Sequence, residues 1–233
     1  MLDNPIWNSL TTDHSHLALG ERIGQRLARR YRSEIGPLSA LKAPTPEAYA
    51  DLARIIPRGD IAVLFLDEPA QPPPDWQLLR DGALIQMLCS TVPDTPRIAE
   101  PIIPLAAPDF PEMLSLAALT EPGPFRDKTP TLGGFFGIRV DGRLAAMAGQ
   151  RLSPAGFTEV SAVCTHPDFR GRGYALALVA TVARNIHAGS RTPFLTSFAA
   201  NTGAIRVYQQ AGFVHRRNFE LAVLKPPPSL SLQ

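Results

Sequence analysis

The sequence is poor in cysteine, poor in aromatic residues and almost balanced in charge, and each shortage closes off a class of protein. Two cysteines in 233 residues, Cys89 and Cys164, stand far apart and outside any Cys-x-x-Cys or Cys/His spacing. Neither a disulfide framework nor a zinc site is indicated, and a reducing cytoplasm is the expected location. His14 and His16 are two residues apart, but no carboxylate or cysteine cluster accompanies them, so no metal site is expected. Lys and Arg number 23 against 21 Asp and Glu, a formal net charge of +2, which implies no nucleic-acid partner. The one dense basic stretch, Arg22 to Arg32, alternates with apolar residues and is read as a solvated helix face. No run approaches the ~18 apolar residues that cross a bilayer. Nor does Met1-Leu2-Asp3-Asn4-Pro5 open a basic region followed by an apolar run, so a soluble, unexported protein without a membrane partner is expected. Also missing are the Gly-Lys-Ser/Thr of a P-loop and the third glycine of a dinucleotide fingerprint.

Against these shortages, 45% hydrophobic residues with 19% charged is the composition of a chain that buries a sizeable core. Proline is plentiful at 24 residues, and its clusters at 69–74, 93–108 and 226–228 mark where ladders and helices stop. A boundary near residue 100 follows, giving an N-terminal mixed α/β lobe (1–100) and a second domain (101–233). In the first lobe, residues 17–31 carry Leu19, Ile23, Leu27 and Tyr31 at a four-residue spacing and are predicted helical. Residues 46–56 also look helical, 60–66 read as a buried strand and 84–88 as another. Asn4-Pro5-Ile6-Trp7 reads as an anchor whose Trp7 packs on the fold.

The second half is more legible. Strands are predicted at 102–105, 134–140, 143–152, 158–165, 194–198 and 213–224, with helices from Pro108-Asp109 to Leu119, from 173 to 187 and from 202 to 210. Asp141-Gly142 between two strand-like runs signals a tight hairpin. The junction His166-Pro167-Asp168-Phe169-Arg170-Gly171-Arg172-Gly173-Tyr174-Ala175 carries the chemistry. Its glycines let the backbone approach a ligand, and the following helix opens with unpaired N–H groups at the positive end of its dipole. Such a turn cradles an anion, and Arg170 and Arg172 add charge suited to a pyrophosphate.

Here the sequence resembles the GNAT superfamily of acyl-CoA-dependent N-acyltransferases. Arg170, Gly173 and Ala175 occupy the fixed places of the family's Gln/Arg-x-x-Gly-x-Gly/Ala signature. Downstream, Asn201 through Ala204, Tyr208 and Gly212-Phe213 look like the family's second element. The resemblance spans about residues 102–225. It implies an α+β fold with a mixed, mostly antiparallel sheet and flanking helices, and acetyl-CoA or another acyl-CoA as co-substrate without a metal. The expected reaction is direct attack by a primary amine of a small molecule or amino-acid-like substrate, with both reactants bound at once, in a monomer or homodimer. A catalytically silent acyl-CoA-binding regulatory module is the alternative. By the same resemblance, the backbone of Val163, Cys164 and Thr165 bonds the pantetheine arm, and the amides of Gly171 through Leu176, Tyr174 included, take the pyrophosphate. Asn201 contacts the cofactor, and Tyr208 is the general acid. Glu159, placed by alternation on the face of Ser161 and Val163, is the candidate base, with water as the other choice. The position five residues before Asn201, where other members carry a glutamate, is Thr196. Cys164 itself reads as a small hydrophobe on its strand, and residues 121–132 with part of the first half are expected to shape the acceptor pocket. The first half, similar in size and mixed in elements, suggests a degenerate copy of the same fold that binds no second cofactor.

Overall fold

The computed structural model describes residues 1–19 and 27–228. In chain order, α1 (Pro5–Thr11), β1 (Ala18–Leu19), β2 (Ala28–Tyr31), β3 (Ser39–Leu41), α2 (Pro46–Ile55), β4 (Ala62–Leu66) and β5 (Gln77–Leu88) come first. There follow β6 (Ile102–Leu105), α3 (Phe110–Thr120), β7 (Phe135–Val140), β8 (Arg143–Gln150), β9 (Phe157–Thr165), α4 (Tyr174–Ala188), β10 (Thr192–Phe198), α5 (Thr202–Gln210) and β11 (Val214–Lys225). The architecture is α+β with a mostly antiparallel sheet. Among the described residues, no helix is long and apolar enough to cross a membrane.

Two compact units emerge: Met1–Leu84 with Leu152–Ala155 and the chain from Asn218 onward, and Ile85–Arg151 with Gly156–Arg217. This division differs from the boundary expected near residue 100. Residues 93–101 of the proline-rich stretch form no helix or strand but are packed: Ile98, with Ile102 of β6 just beyond, lies against the second unit's core, and Arg184 donates to the Pro93 carbonyl at 3.1 Å.

In the first unit, the Asn4 side chain accepts from Trp7 N–H with Pro5 in the first turn, so the expected anchor is a capped helix start. Trp7 then lies 5.2 Å beneath the Arg29 guanidinium. The helix expected over 17–31 is corrected: β1 and β2 are antiparallel strands, while residues 20–26 of that prediction fall outside the described residues. A spacing of four is also two strand periods, so Leu19, Leu27 and Tyr31 fit a strand equally well. Nor is the basic stretch a solvated face where it is described: Arg32 is exposed, but Arg29 and Arg30 are buried, and Arg30 is paired with Asp60. Next, β2 pairs antiparallel with β3, and α2 crosses over with Thr45 accepting from Ala48 N–H. A parallel bridge then joins Leu38 to Val63 at the start of β4, which pairs antiparallel with β11 from Glu220 to Leu224.

In the second unit β10, β9, β8, β7 and β6 lie side by side in that order. The Asp141-Gly142 turn has φ of 50° and 79°, as a type I′ hairpin requires. Helix α4 buries Leu178, Val179, Val182, Ala183 and Ile186 with Ala145, Val160 and Leu195. On the opposite face, Met113, Leu116 and Ala117 of α3 pack with Phe135, Met147, Ala162 and Cys164.

Candidate active site

The site begins where two parallel strands part. The register of β9 with β10 comprises Phe157↔Thr192, Thr158↔Pro193 and Glu159↔Phe194. Three residues on, β9 bulges: Ala162 has φ +51°, and the pairing with β8 shifts between Met147 and Gly149. A bulge bends its strand and re-aims the side chains beyond it. Accordingly, Val160 and Val163 both pack on the core beneath α4, while Ala162 and Cys164 sit in the core beneath α3. Strict alternation fails here, and Val163 does not share a face with Ser161. Toward β8, Cys164 pairs with Met147 and Thr165 with Ala146. The opposite edge of Val163, Cys164 and Thr165 lies beyond the register with β10.

At the end of β9, His166 Nδ1 accepts from Asp168 N–H at 3.2 Å and closes a short turn ahead of Arg170. Gly171 and Gly173 both have φ +78°, a conformation that admits glycine freely. Gly173 is the N-cap of α4 and supplies no side-chain cap, so Ala177 N–H, donating to the Gly173 carbonyl at 3.1 Å, opens the helical ladder. The N–H groups of Tyr174, Ala175 and Leu176 precede it and have no partner within the helix. Arg170, Gly171, Arg172 and Gly173 are exposed, whereas the Tyr174 ring is buried and anchors the turn. The guanidiniums of Arg172 and Arg143 lie 5.3 and 5.4 Å from the Phe169 ring, which gathers positive charge beside the turn.

Asn201 caps α5 by accepting from Ala204 N–H at 3.2 Å, and Tyr208 follows about two turns later. Burial pushes the Tyr208 phenol up to about 12, with Cys164 contributing further; the two groups are thus close enough to interact. Burial also pushes the Cys164 thiol up to about 12. The thiol therefore stays protonated and unreactive at neutral pH.

Glu159 behaves differently from the expectation of a base. It is fully buried, and its two carboxylate oxygens accept from Arg151 Nε at 2.8 Å and Nη2 at 3.0 Å. The candidate base is thus the buried ion-pair partner of Arg151. On this face Arg151, Ser161 and Ala162, with Pro122, Gly123, Pro124, Phe125, Thr129 and Phe135, line a shallow pocket.

A solved structure from Novosphingobium aromaticivorans, assigned to the GNAT family of acetyltransferases, is 39% identical to this chain, covering 97% of it and 98% of its own chain with a TM-score of 0.86. This chain belongs to the GNAT family. The FR47-like protein family model matches residues 135–221, the span from β7 into β11 that contains the glycine turn and Tyr208. More distant GNAT-like folds include a GCN5-related N-acetyltransferase-like protein from Streptococcus suis (13% identity, 95% and 92% coverage, TM-score 0.63). Another is a GCN5-related N-acetyltransferase from Kribbella flavida (17%, 93% and 93%, 0.59). At these identities the likeness concerns the fold alone. No curated protein matches the sequence.

Within this GNAT chain the strand edge at Val163–Thr165, the turn from Arg170 to Leu176 and the helix carrying Asn201 and Tyr208 belong to one unit. Sequence reasoning missed Arg151, which a search for a cation on the strand paired with β9 would have found. It also missed the side chains of Thr165 and Thr196, whose hydroxyl oxygens are buried and make no hydrogen bond among the described residues; nothing in the local sequence signals them.

Proposed function

We propose that the protein transfers an acetyl group from acetyl-CoA to the primary amine of a small molecule, both reactants being held together where β9 and β10 part. One observation carries this reading: the parted strand edge lies beside an uncapped glycine turn, and Tyr208 packs on the same core as Val163 of that edge and Tyr174 of the turn. The residues present suit the co-substrate. First-turn amides of α4 suit a pyrophosphate, and Arg143, Arg170 and Arg172 match its charge. Buried polar groups require partners, and an amide-bearing arm laid along β9 would supply one to the Thr165 hydroxyl.

Bound acetyl-CoA supplies an activated thioester carbonyl. The chain's own work is to align an amine with that carbonyl, an advantage worth up to about 7–11 kcal/mol, and to manage two protons. Tyr208, protonated at neutral pH, donates to the departing sulfur, a role worth typically about 10²–10⁴ in rate. With Glu159 held by Arg151, the amine's proton goes to water. The pocket lined by Phe125, Thr129 and Ser161 forms one wall for the acceptor.

The test is release of free thiol from acetyl-CoA by the purified protein across a panel of arylalkylamines, polyamines and amino-acid amides. Amine-dependent release supports acetyl transfer. Tight acetyl-CoA binding with no release for any amine would support the silent binding module instead.

A further inference from the structure

We infer that the Thr196 hydroxyl holds the water that receives the amine's proton, an inference that rests on the acetyl transfer proposed above. Thr196 lies on β10 two residues beyond Phe194, the last residue in register with β9, where the strands have parted. Its neighbour Leu195 is buried in the core beneath α4. Alternation along the strand therefore turns Thr196 to the opposite face, the face on which Ser161 and Ala162 line the shallow pocket. There its Oγ1 is buried and makes no hydrogen bond among the described residues. Leaving a buried hydroxyl unpaired is costly, so a group at this position is explained by something it binds.

Thr165 provides an internal comparison. Beyond the bulge, Val163 packs beneath α4 and Cys164 beneath α3, so Thr165 turns back to the α4 side, adjoining the glycine turn. The two unpaired hydroxyls thus serve opposite faces of the opening. Thr165 stands on the side of the pyrophosphate cradle, Thr196 on the side of the acceptor. A hydroxyl cannot itself accept the amine's proton at neutral pH, but it can donate to and orient a water. In the reaction the amine nitrogen forms the new C–N bond and releases its proton to that water. The C–S bond breaks, and the sulfur takes a proton from Tyr208, which solvent restores. Thr196 is accordingly a positioning residue rather than a catalytic one.

The experiment compares Thr196→Val, Thr196→Ser and Thr165→Val with the unaltered chain. Acetyl-CoA affinity is measured by calorimetric titration, and kcat and KM with the amine that gives the fastest thiol release. Thr196→Val is expected to lower kcat by about tenfold or more and leave acetyl-CoA affinity within about twofold. Thr196→Ser, which keeps the hydroxyl, should restore most of the rate. Thr165→Val should show the reverse split, with weaker acetyl-CoA binding and kcat largely kept. Thr196→Val with an unchanged kcat, or Thr196→Ser as slow as Thr196→Val, overturns the inference. Should Thr196→Val melt early, Thr196→Ala gives the same readings. An unaltered chain that releases no thiol with any amine overturns acetyl transfer itself, a distinct result.

Discussion

Replacing Glu159 by Gln separates a structural carboxylate from a catalytic one. The change keeps the shape and one acceptor oxygen but removes the charge facing Arg151, whose Nε and Nη2 lie 2.8 and 3.0 Å from the carboxylate. Both residues are buried, at 0% and 8% exposure, so the guanidinium loses the carboxylate that holds it bidentately. Breaking a buried pair from one side costs about 3–5 kcal/mol. With a urea m-value of about 3 kcal/mol/M for a chain of this size, the unfolding midpoint should fall by about 1–2 M. Replacing both partners, Arg151→Met with Glu159→Leu, should restore much of that loss, because no uncompensated charge remains. The assay is urea unfolding at pH 7.5 beside steady-state kinetics at a temperature where each variant is folded. The reasoning fails if Glu159→Gln keeps its midpoint while kcat drops about 10²–10⁴-fold and the acidic limb of the rate profile vanishes, the signature of a lost general base.

Three further outcomes are expected. Gly173→Val should weaken acetyl-CoA binding by at least about tenfold, or about 1.4 kcal/mol; because φ is +78° it should also lower the melting temperature, through about 1–2 kcal/mol of backbone strain. A folded Gly173→Val chain with normal affinity in a titration would remove the turn from the site. Tyr208→Phe should preserve binding and reduce kcat by about tenfold or more, read by the same two measurements. The phenol's rise from 10 to about 12 in the folded chain means that its contribution to stability is complete below about pH 10 and is lost as pH climbs toward 12. Tyr208→Phe should therefore resist alkaline unfolding over pH 10–12 better than the parent, which urea midpoints at pH 8 and 11 would show. Calorimetry should give one acetyl-CoA per chain; a stoichiometry of two would contradict the closed state of the α2 N-terminus, where Thr45 occupies Ala48 N–H and Pro46 has no N–H to offer.

The second half was legible because its signals are local. Asp141-Gly142 fixes a hairpin by its own φ angles, Gly173 opens a helix, and Asn201 caps another with Tyr208 about two turns on. What escaped was non-local or ambiguous. The period of four in Leu19, Leu27 and Tyr31 suits helix and strand alike, and Arg30 is buried because Asp60, distant in sequence, is there to receive it. The Ala162 bulge leaves no mark on composition, since alanine has no special preference for positive φ. Yet it decides which side chains of β9 face which core. A reading by alternation therefore placed Glu159 with Val163, and its ion-pair partner, Arg151, comes from the residue just past the neighbouring strand β8.

The first unit repeats the order of the second in outline. There, α3 leads into the antiparallel strands β7, β8 and β9, then the crossover helix α4 and the parallel strand β10. Here, α1 leads into the antiparallel strands β1, β2 and β3, then the crossover helix α2 and a parallel bridge from Leu38 to Val63 of β4. The two units share this order of elements and differ at the crossover turn. Residues 42–45 join β3 to α2 without a glycine, and the Thr45 side chain with Pro46 closes the helix start that Gly173 leaves open in the second unit. An N-terminus satisfied by its own cap has no amides to spare for an anion. The same order of elements thus yields an open helix start in one unit and a capped one in the other, and the difference rests on whether the residue at the N-cap has a side-chain oxygen to accept from the first turn.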